Sequence, residues 1–395
     1  MRPVTITTQG ALGKSSIREA NERLVHTMIL RGRGIGRKQI SRQSGLSASA
    51  VTMIVERLMK QGLVREEPVE GHSGLGRRPT ALRVVPESRL AIGVEITPFE
   101  GTVALADLEG HIVEQRVTEA SQDPVRFLGA VHEGVRELAT VAAERLLGVG
   151  VSITGVVEPG TGRVLAAPNL HWHNVDAIPV LRGGLNTRFA WDNNSNLSAL
   201  AERWFDLSAS KRLDNFVFVT LRSGLGTGVM VDGRLVQGAT HRAGEFGHMV
   251  LYPDGRPCVC GNRGCWEEYA SDRALYRRYR DAGGDPKLGS LDIASAAAAG
   301  DRRAGEAMDE TARDLGLGLV NIIMGLNPSA IVLDDFAAAG WARIRATVWD
   351  VLRERVRDYW LSGVDVFPSA HAAHSSLAGA VALVLHRYFT HVTGD

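Results

Sequence analysis

Residues 243–271 read AGEFGHMVLYPDGRPCVCGNRGCWEEYAS, and this stretch contains all three cysteines of the 395-residue chain. Cys258, Cys260 and Cys265 stand as C-x-C-x4-C. An odd number of thiols in so short a run does not make a disulfide framework. It fits metal ligation in a reducing compartment. Thiolates at this spacing can wrap one zinc ion, with Gly261 and Gly264 allowing the tight backbone. Zinc prefers four ligands, and His248, ten residues upstream of Cys258, is the natural fourth. A closed His/Cys3 shell leaves no position for an activated water, so the expected ion is a structural Zn2+ rather than a hydrolytic one.

Outward from this loop the chain alternates strands and helices. NFVFVTLR (215–222), GTGVMVDG (226–233) and RLVQG (234–238) read as strands, and SAIVLDD (329–335) as a later one after intervening helices. The first half carries the same grammar. RLAIGVEI (89–96), GTVALADL (101–108) and HIVEQRVTEA (111–120) read as strands with turns at Thr97–Gly101 and Glu109-Gly110. A helix from Pro124 to about Leu146 and the strand GVGVSI (148–153) follow. Two β-β-β-α-type halves imply a two-lobed α/β domain with a cleft between the lobes.

The first 90 residues differ. They hold 16 Lys+Arg against 7 Asp+Glu, a balance of +9, while the remainder stands at −8 within a chain of net charge +1. A basic head on an acidic body suits a polyanion. Ala20, Leu24, Met28 and Ile29 fall near helical spacing in Ile17 to Leu30, and a second short helix spans Arg37 to Ser44. Gly45-Leu46 makes a turn, and Ser47 caps a third helix running to about Gln61, with Val51, Ile54, Val55 and Leu58 inside. The glycine-punctuated stretch after Gly62 reads as a wing-like hairpin.

This is a winged helix-turn-helix over residues 17–85, preceded by a flexible N-terminus, 1–16, and followed by the two-lobed domain, 86–395. Its second helix-turn-helix element presents Ser47, Ser49, Ala50, Thr52 and Met53 toward a major groove, suited to bases, phosphates or thymine methyls. Arg37, Lys38 and Arg42 are placed for the phosphate backbone, and Arg77 and Arg78 for a narrow minor groove. A helical protein-interaction module has the same three-helix shape; the basic balance and the GRRP segment favour double-stranded DNA.

Hydrophobic residues make up 44% and charged residues 23%, ordinary for a water-exposed globular protein, and no apolar run of about 18 residues exists. The start, MRPVTITTQGALGKSS, lacks the apolar core of a signal peptide, so the expected compartment is the cytoplasm, at the nucleoid.

AGEFGHM followed by CVCGNRGCWEEYAS resembles the ROK family of bacterial repressors, open reading frames and sugar kinases. GLGTGVMVDGRLVQGA (224–239), AAPNLHWHNV (166–175) and PSAHAAHSSLAGAVALVL near the end carry the likeness further, and with the head it resembles the repressor branch. The resemblance implies an actin-like, RNase-H-type two-lobed fold and a homodimer or homotetramer. It also implies that Glu245 and Glu267 accept hydrogen bonds from sugar hydroxyls. His248 would then bind zinc through one ring nitrogen and donate to the sugar from the other. A purely structural Glu267, orienting the zinc loop, is the plainer alternative.

The chain departs from the family's kinases at three places. The phosphate-binding D-x-G-G-T loop is replaced by Val94-Glu95-Ile96-Thr97-Pro98-Phe99, without glycines and with a proline that donates nothing. The catalytic aspartate of an N-D-x-N segment is replaced by Asn194, which cannot act as a general base. A G-G-G near the adenosine becomes Asp334-Asp335-Phe336. The expectation is therefore a sugar-responsive DNA-binding regulator, in the main a repressor of carbohydrate-related genes, with no catalytic residue. Its effector is a phosphorylated sugar, since Asn194 does not repel an attached phosphate as an aspartate would, or alternatively a neutral sugar hydrogen-bonded by Asn193 and Asn194. The rivals are an ATP-dependent sugar kinase with a DNA-binding head, and a sugar-sensing adaptor.

Overall fold

The computed structural model describes residues 14–68, 80–158, 160–205, 213–222, 224–370 and 374–390. Most of the expected N-terminal segment 1–16, and the expected minor-groove residues Arg77 and Arg78, lie outside them.

The head comprises α1 (Lys14–Gly32), α2 (Arg37–Ser44), α3 (Ala48–Lys60) and an antiparallel pair, β1 (Val64–Pro68) with β2 (Thr80–Val84). Gly45 takes φ +73° and its N–H closes on the Ser41 carbonyl, ending α2 in a left-handed turn that glycine tolerates. The Ser47 hydroxyl accepts the Ala50 N–H at 3.2 Å and starts α3. Val51, Ile54, Val55 and Leu58 are buried on α3 as the helical stripe requires.

In the first lobe come β3 (Leu90–Ile96), β4 (Glu100–Ala106), β5 (Ile112–Glu119), α4 (Pro124–Ala142) and β6 (Leu146–Ile153). The helix expected to reach Leu146 ends at Ala142 because Ala143 turns to φ +50° and the chain then enters β6. A small antiparallel sheet, β7 (Val156–Val157), β8 (Val164–Ala167) and β9 (Trp172–Val175), is followed by α5 (Ala177–Arg182), β10 (Phe189–Asn193) and α6 (Asn194–Phe205).

The second lobe holds β11 (Phe216–Thr220), β12 (Gly226–Val231) and β13 (Arg234–Leu235), then α7 (Glu267–Ala270), α8 (Asp272–Asp281), α9 (Ser290–Ala298) and α10 (Arg302–Leu326). It continues through β14 (Ala330–Leu333), α11 (Asp335–Ala339), α12 (Trp341–Arg355), α13 (Asp358–Leu361), β15 (Asp365–Pro368) and α14 (Ser375–Thr390).

The two large sheets run β10-β6-β3-β4-β5 and β13-β12-β11-β14-β15. Each places its first three strands antiparallel, then adds the fourth and fifth parallel beside the first. The same topology built twice is the two-lobed architecture expected from the repeated strand grammar, and the actin-like fold that the resemblance implies.

α6 and α14 join the lobes by crossing at close range. A Cβ on Gly379 of α14 would stand 2.0 Å from the Leu197 carbonyl oxygen of α6, and one on Gly150 of β6 would stand 1.9 Å from that of Ala380. Only a hydrogen fits at either contact. The head docks on the same pair of helices. His26 of α1 meets Phe389 of α14 edge-on at 5.0 Å, and the Arg31 guanidinium lies 5.2 Å over the Trp204 ring of α6. No described helix is long and apolar enough to cross a membrane.

Candidate functional site

The 3-10 turn Phe246–His248 and the loop ahead of α7 bring the four expected metal ligands together. The Cys258 Sγ lies 3.6 Å from His248 Nδ1, and Cys260 Sγ lies 3.6 Å from Cys265 Sγ. All four ligand atoms fall within 4.8 Å of one another. Tetrahedral bonds of about 2.3 Å to sulfur and about 2.0 Å to nitrogen place ligand atoms roughly 3.6–3.8 Å apart. The spacing therefore fits one ion. Gly264, at φ +73°, packs so tightly on the Tyr252 carbonyl that a Cβ would stand 1.6 Å from its oxygen, which explains a glycine inside the ligand loop.

Beside this cluster opens a cleft of about 630 Å³, walled by both lobes and the small β7–β9 sheet. His248 turns its Nε2 toward the cleft, 4.0 Å from the Glu245 carboxylate. Burial holds the Glu245 pKa above the ordinary value, and the pull of His248 opposes it. Glu267 accepts the Leu225 N–H at 2.9 Å on one oxygen and Arg273 at 2.7 Å on the other. It is thus both a cleft-lining acid and a brace between the zinc-type loop and the Gly224–Gly228 turn. The amide of Asn193 is turned into the backbone, donating to the Gly155 carbonyl and accepting the Ser195 N–H, both at 2.9 Å. Asn194, the first residue of α6, lines the cleft beside it. The structure thus brings Asn193, Asn194, Glu245, His248 and Glu267 to one wall system.

At the opposite end the groups face one another. Arg222 donates from Nε to Asp335 at 2.8 Å and reaches Glu95 of the first lobe at 3.6 Å. Ser376 donates to Glu95, and Ser375 to Asp334 at 2.7 Å. Burial pushes the Asp334 carboxyl well up, and the neighbouring Asp335 adds to it. Asp335 sits at φ +53°, a conformation natural to glycine, and its carboxylate accepts the Leu221 N–H at 3.2 Å. The expected last strand residue is thus the start of α11.

On the head, Ser47, Ser49 and Met53 are exposed, Met53 at 61%. Ala50 and Thr52 are half-buried, Thr52 donating to the Ala48 carbonyl at 2.9 Å. Lys38 and Arg42 are exposed on the surface of α2, whereas Arg37 is drawn to Glu66 of the wing strand. Arg37 therefore ties α2 to β1 as the chain stands alone.

A ROK family model matches residues 91–387, most of the chain. The chain belongs to the ROK family. A winged helix-turn-helix DNA-binding model matches residues 18–65, covering the head's three helices. This ROK protein is 27% identical to the xylose repressor of Bacillus subtilis strain 168 over 95% of its own length and 98% of the relative's. It is 29% identical to the DNA-binding transcriptional dual regulator NagC of Escherichia coli K12 over 80% of each chain. Among solved structures, a ROK family transcriptional regulator homologous to the E. coli MLC protein superposes with a TM-score of 0.77. That match has 25% identity and covers 95% of this chain and 97% of that one. A ROK glucokinase from Streptomyces griseus, solved with glucose and AMPPNP, superposes with a TM-score of 0.66. It shares 27% identity and covers 74% of this chain and 98% of its own.

Sequence reasoning missed several cleft residues of this ROK domain. His173, Trp191, Gln237, Arg242 and Arg387 line the cleft. Gln237 donates to Asp192 at 3.3 Å, and Asp192 also attracts Arg387 of α14. His173 stands inside the AAPNLHWHNV segment, so a signal for it was present; Arg387 is on a distant helix and had none.

Proposed function

We propose that this ROK protein is a sugar-responsive transcriptional repressor that binds operator DNA through its head and a sugar or sugar phosphate in its cleft. The observation that carries the reading is the division of the cleft. Glu245 and His248 remain directed at a polyol-sized space beside the metal cluster, while Arg222, Glu95 and Asp335 occupy each other at the far end. The named repressors among its relatives support the DNA-linked role.

His248, Cys258, Cys260 and Cys265 would hold a structural Zn2+ that fixes the loop from which Glu267 extends. The protein's own residues do the recognition. Glu245 and Glu267 accept sugar hydroxyls, and His248 donates from Nε2 once its Nδ1 is engaged. Asn194 brings no negative charge to the place where a kinase keeps its base, so an anionic sugar is tolerated and no hydroxyl proton is removed. Asp335 keeps a glycine-like backbone but fills with a carboxylate the space that the resemblance assigns to the adenosine, and the phosphate loop is lost at Ile96-Thr97-Pro98. The domain therefore binds without phosphoryl transfer.

The switch is a linkage. Sugar draws the lobes together; α6 and α14 cross between the lobes and also carry the head, through Trp204 and Phe389. In a homodimer or homotetramer, tilting two heads spoils their fit to half-sites about 34–36 Å apart. A tenfold loss of operator affinity requires only about 1.4 kcal/mol of differential sugar binding. Such a protein works in the cytoplasm at the nucleoid.

The test is a gel shift on DNA from upstream of the protein's own gene, with a panel of sugars and their 6-phosphates. Specific retention released by one compound supports the reading. No preference over random DNA, with every compound silent, overturns it in favour of the adaptor. Sugar-dependent ADP release would return the protein to the kinases.

A further inference from the structure

At the seam between head and body lies a second groove, about 510 Å³ in volume, that the sugar cleft does not reach. Arg18, Arg23 and His26 of α1, Gln61 at the end of α3, Arg89 ahead of β3 and Tyr388 of α14 line it. We propose that this groove is a binding site for a small anion bearing phosphate or carboxylate groups, bridging the head to the ROK domain.

The charge balance carries the argument first. Three guanidinium groups line the groove. Arg18 and Arg23 make no ion pair among the described residues. Arg89 donates to the Ser88 carbonyl at 2.7 Å and lies near Tyr388, neither of them an acid. Glu19 and Glu22 line the groove as well; Glu22 already holds Arg57 at 2.6 Å, and Glu19 also has a partner. The three guanidinium groups thus outnumber the acids of the groove, both of which are already engaged, and the surplus positive charge favours an anion between them.

His26 is the second observation. Its side chain is buried, only 3% exposed, and packed edge-on against Phe389 at 5.0 Å and Tyr388 at 6.3 Å. Its Nε2 is buried with no hydrogen-bond partner among the described residues. A buried polar atom left unpaired is costly, so it points to a partner that binds there. Burial and the nearby Arg89 push His26 down to about 4, so it is neutral near pH 7. An anion beside it supplies an acceptor for an N–H on the ring and offsets the three arginines at once. Because α1 and α3 belong to the head while Arg89 and Tyr388 belong to the body, an occupant fastens the two together.

Isothermal titration of the full-length protein with pyrophosphate and, separately, with citrate tests the site, with ionic strength matched by potassium chloride. One saturable site per chain is expected, and the better of the two probes identifies the phosphate or the carboxylate class. Arg23→Gln and Arg89→Gln should each weaken it at least tenfold without lowering the melting temperature, with Arg18→Gln as the check if either variant folds poorly. Glu267→Gln, in the sugar cleft, should leave it unchanged. Heats no larger than the chloride control, or undiminished binding in the arginine variants, overturn the proposal. Loss of affinity for random duplex DNA in variants of a protein that binds neither probe also overturns it, assigning the groove to backbone phosphates. The titration stands apart from the repressor reading, so either can fail alone.

Discussion

At one end of the cleft Glu245, His248 and Glu267 are braced by a cysteine loop and a glycine turn so that their polar atoms line open space. At the other end Glu95, Arg222, Asp334 and Asp335, with Ser375 and Ser376, satisfy one another across the lobes. Both ends place carboxylates near an Arg or His, but Glu245 is exposed whereas Glu95 and Asp334 are buried. The difference lies in what answers them. At the open end Glu245 and His248 keep exposed polar atoms on the cleft, whereas at the far end the acids, the arginine and the serines are turned on one another across the lobes. A binding domain can thus keep its ligand end while its phosphate end becomes internal structure.

The largest effect is expected where the ligand end is anchored. Zinc removal by chelation, or Cys265→Ser, should release about one equivalent of metal by atomic emission. A structural zinc contributes folding free energy on the order of 10 kcal/mol. Losing even a third of that lowers the melting temperature by roughly 5 °C in a domain of this size. An unchanged melting curve and metal content would break the comparison at its base.

Next in size is Glu267→Gln, which keeps the shape and removes the charge. Hydrogen bonds to charged groups are worth about 1.5–3 kcal/mol, so sugar affinity by calorimetry should fall by roughly ten- to a hundredfold. Equal affinity would leave Glu267 as a brace alone.

The closed end is sharpened by pH. Asp272 adjoins that end, donating its backbone N–H to the Leu221 carbonyl and sensing Asp335, and one of its buried oxygens has no hydrogen-bond partner. Burial raises its carboxyl from 3.8 to about 8. The folded chain therefore binds the proton more tightly than the unfolded one. Stability from this group is full below pH 3.8 and declines as pH rises toward about 8. The slope is at most about 1.4 kcal/mol per pH unit. Denaturant titrations from pH 5 to 8 should show it, and Asp272→Asn should flatten it; an identical slope in the variant removes the assignment.

The smallest expected effect is none. Asn194→Asp restores a carboxylate at the kinase base position but leaves Asp335 and Arg222 in place. Sugar-dependent ADP release should stay at background, and measurable turnover would mean the far end is less closed than its ion pairs indicate.

Much of this was legible locally. Hydrophobic spacing gave the α3 stripe, and Ser47 and Gly45 marked its start and the preceding stop, because helix ends are settled by nearby donors and acceptors. The cysteine spacing pointed to a single ligand group, and the motif around Glu245 and Glu267 to one wall. Less legible were the pairings. Nothing near Arg37 announces Glu66, and nothing in LRSGLG announces that Arg222 spans to Glu95. Such partners are separated by many residues, and only folding decides which of several nearby acids an arginine meets.

By itself, the sequence determined the repeated strand grammar, the helix-turn-helix spacing and the presence of a His/Cys3 donor set, since each depends on neighbours within a few turns of chain. The tertiary structure alone decided which carboxylates stayed open and which were closed by cross-lobe ion pairs. It also decided that three arginines and a buried histidine share one groove where α1 meets α14. Those outcomes depend on burial and on distances between elements far apart in the chain, and Coulomb and desolvation energies are set by such distances rather than by order along the backbone.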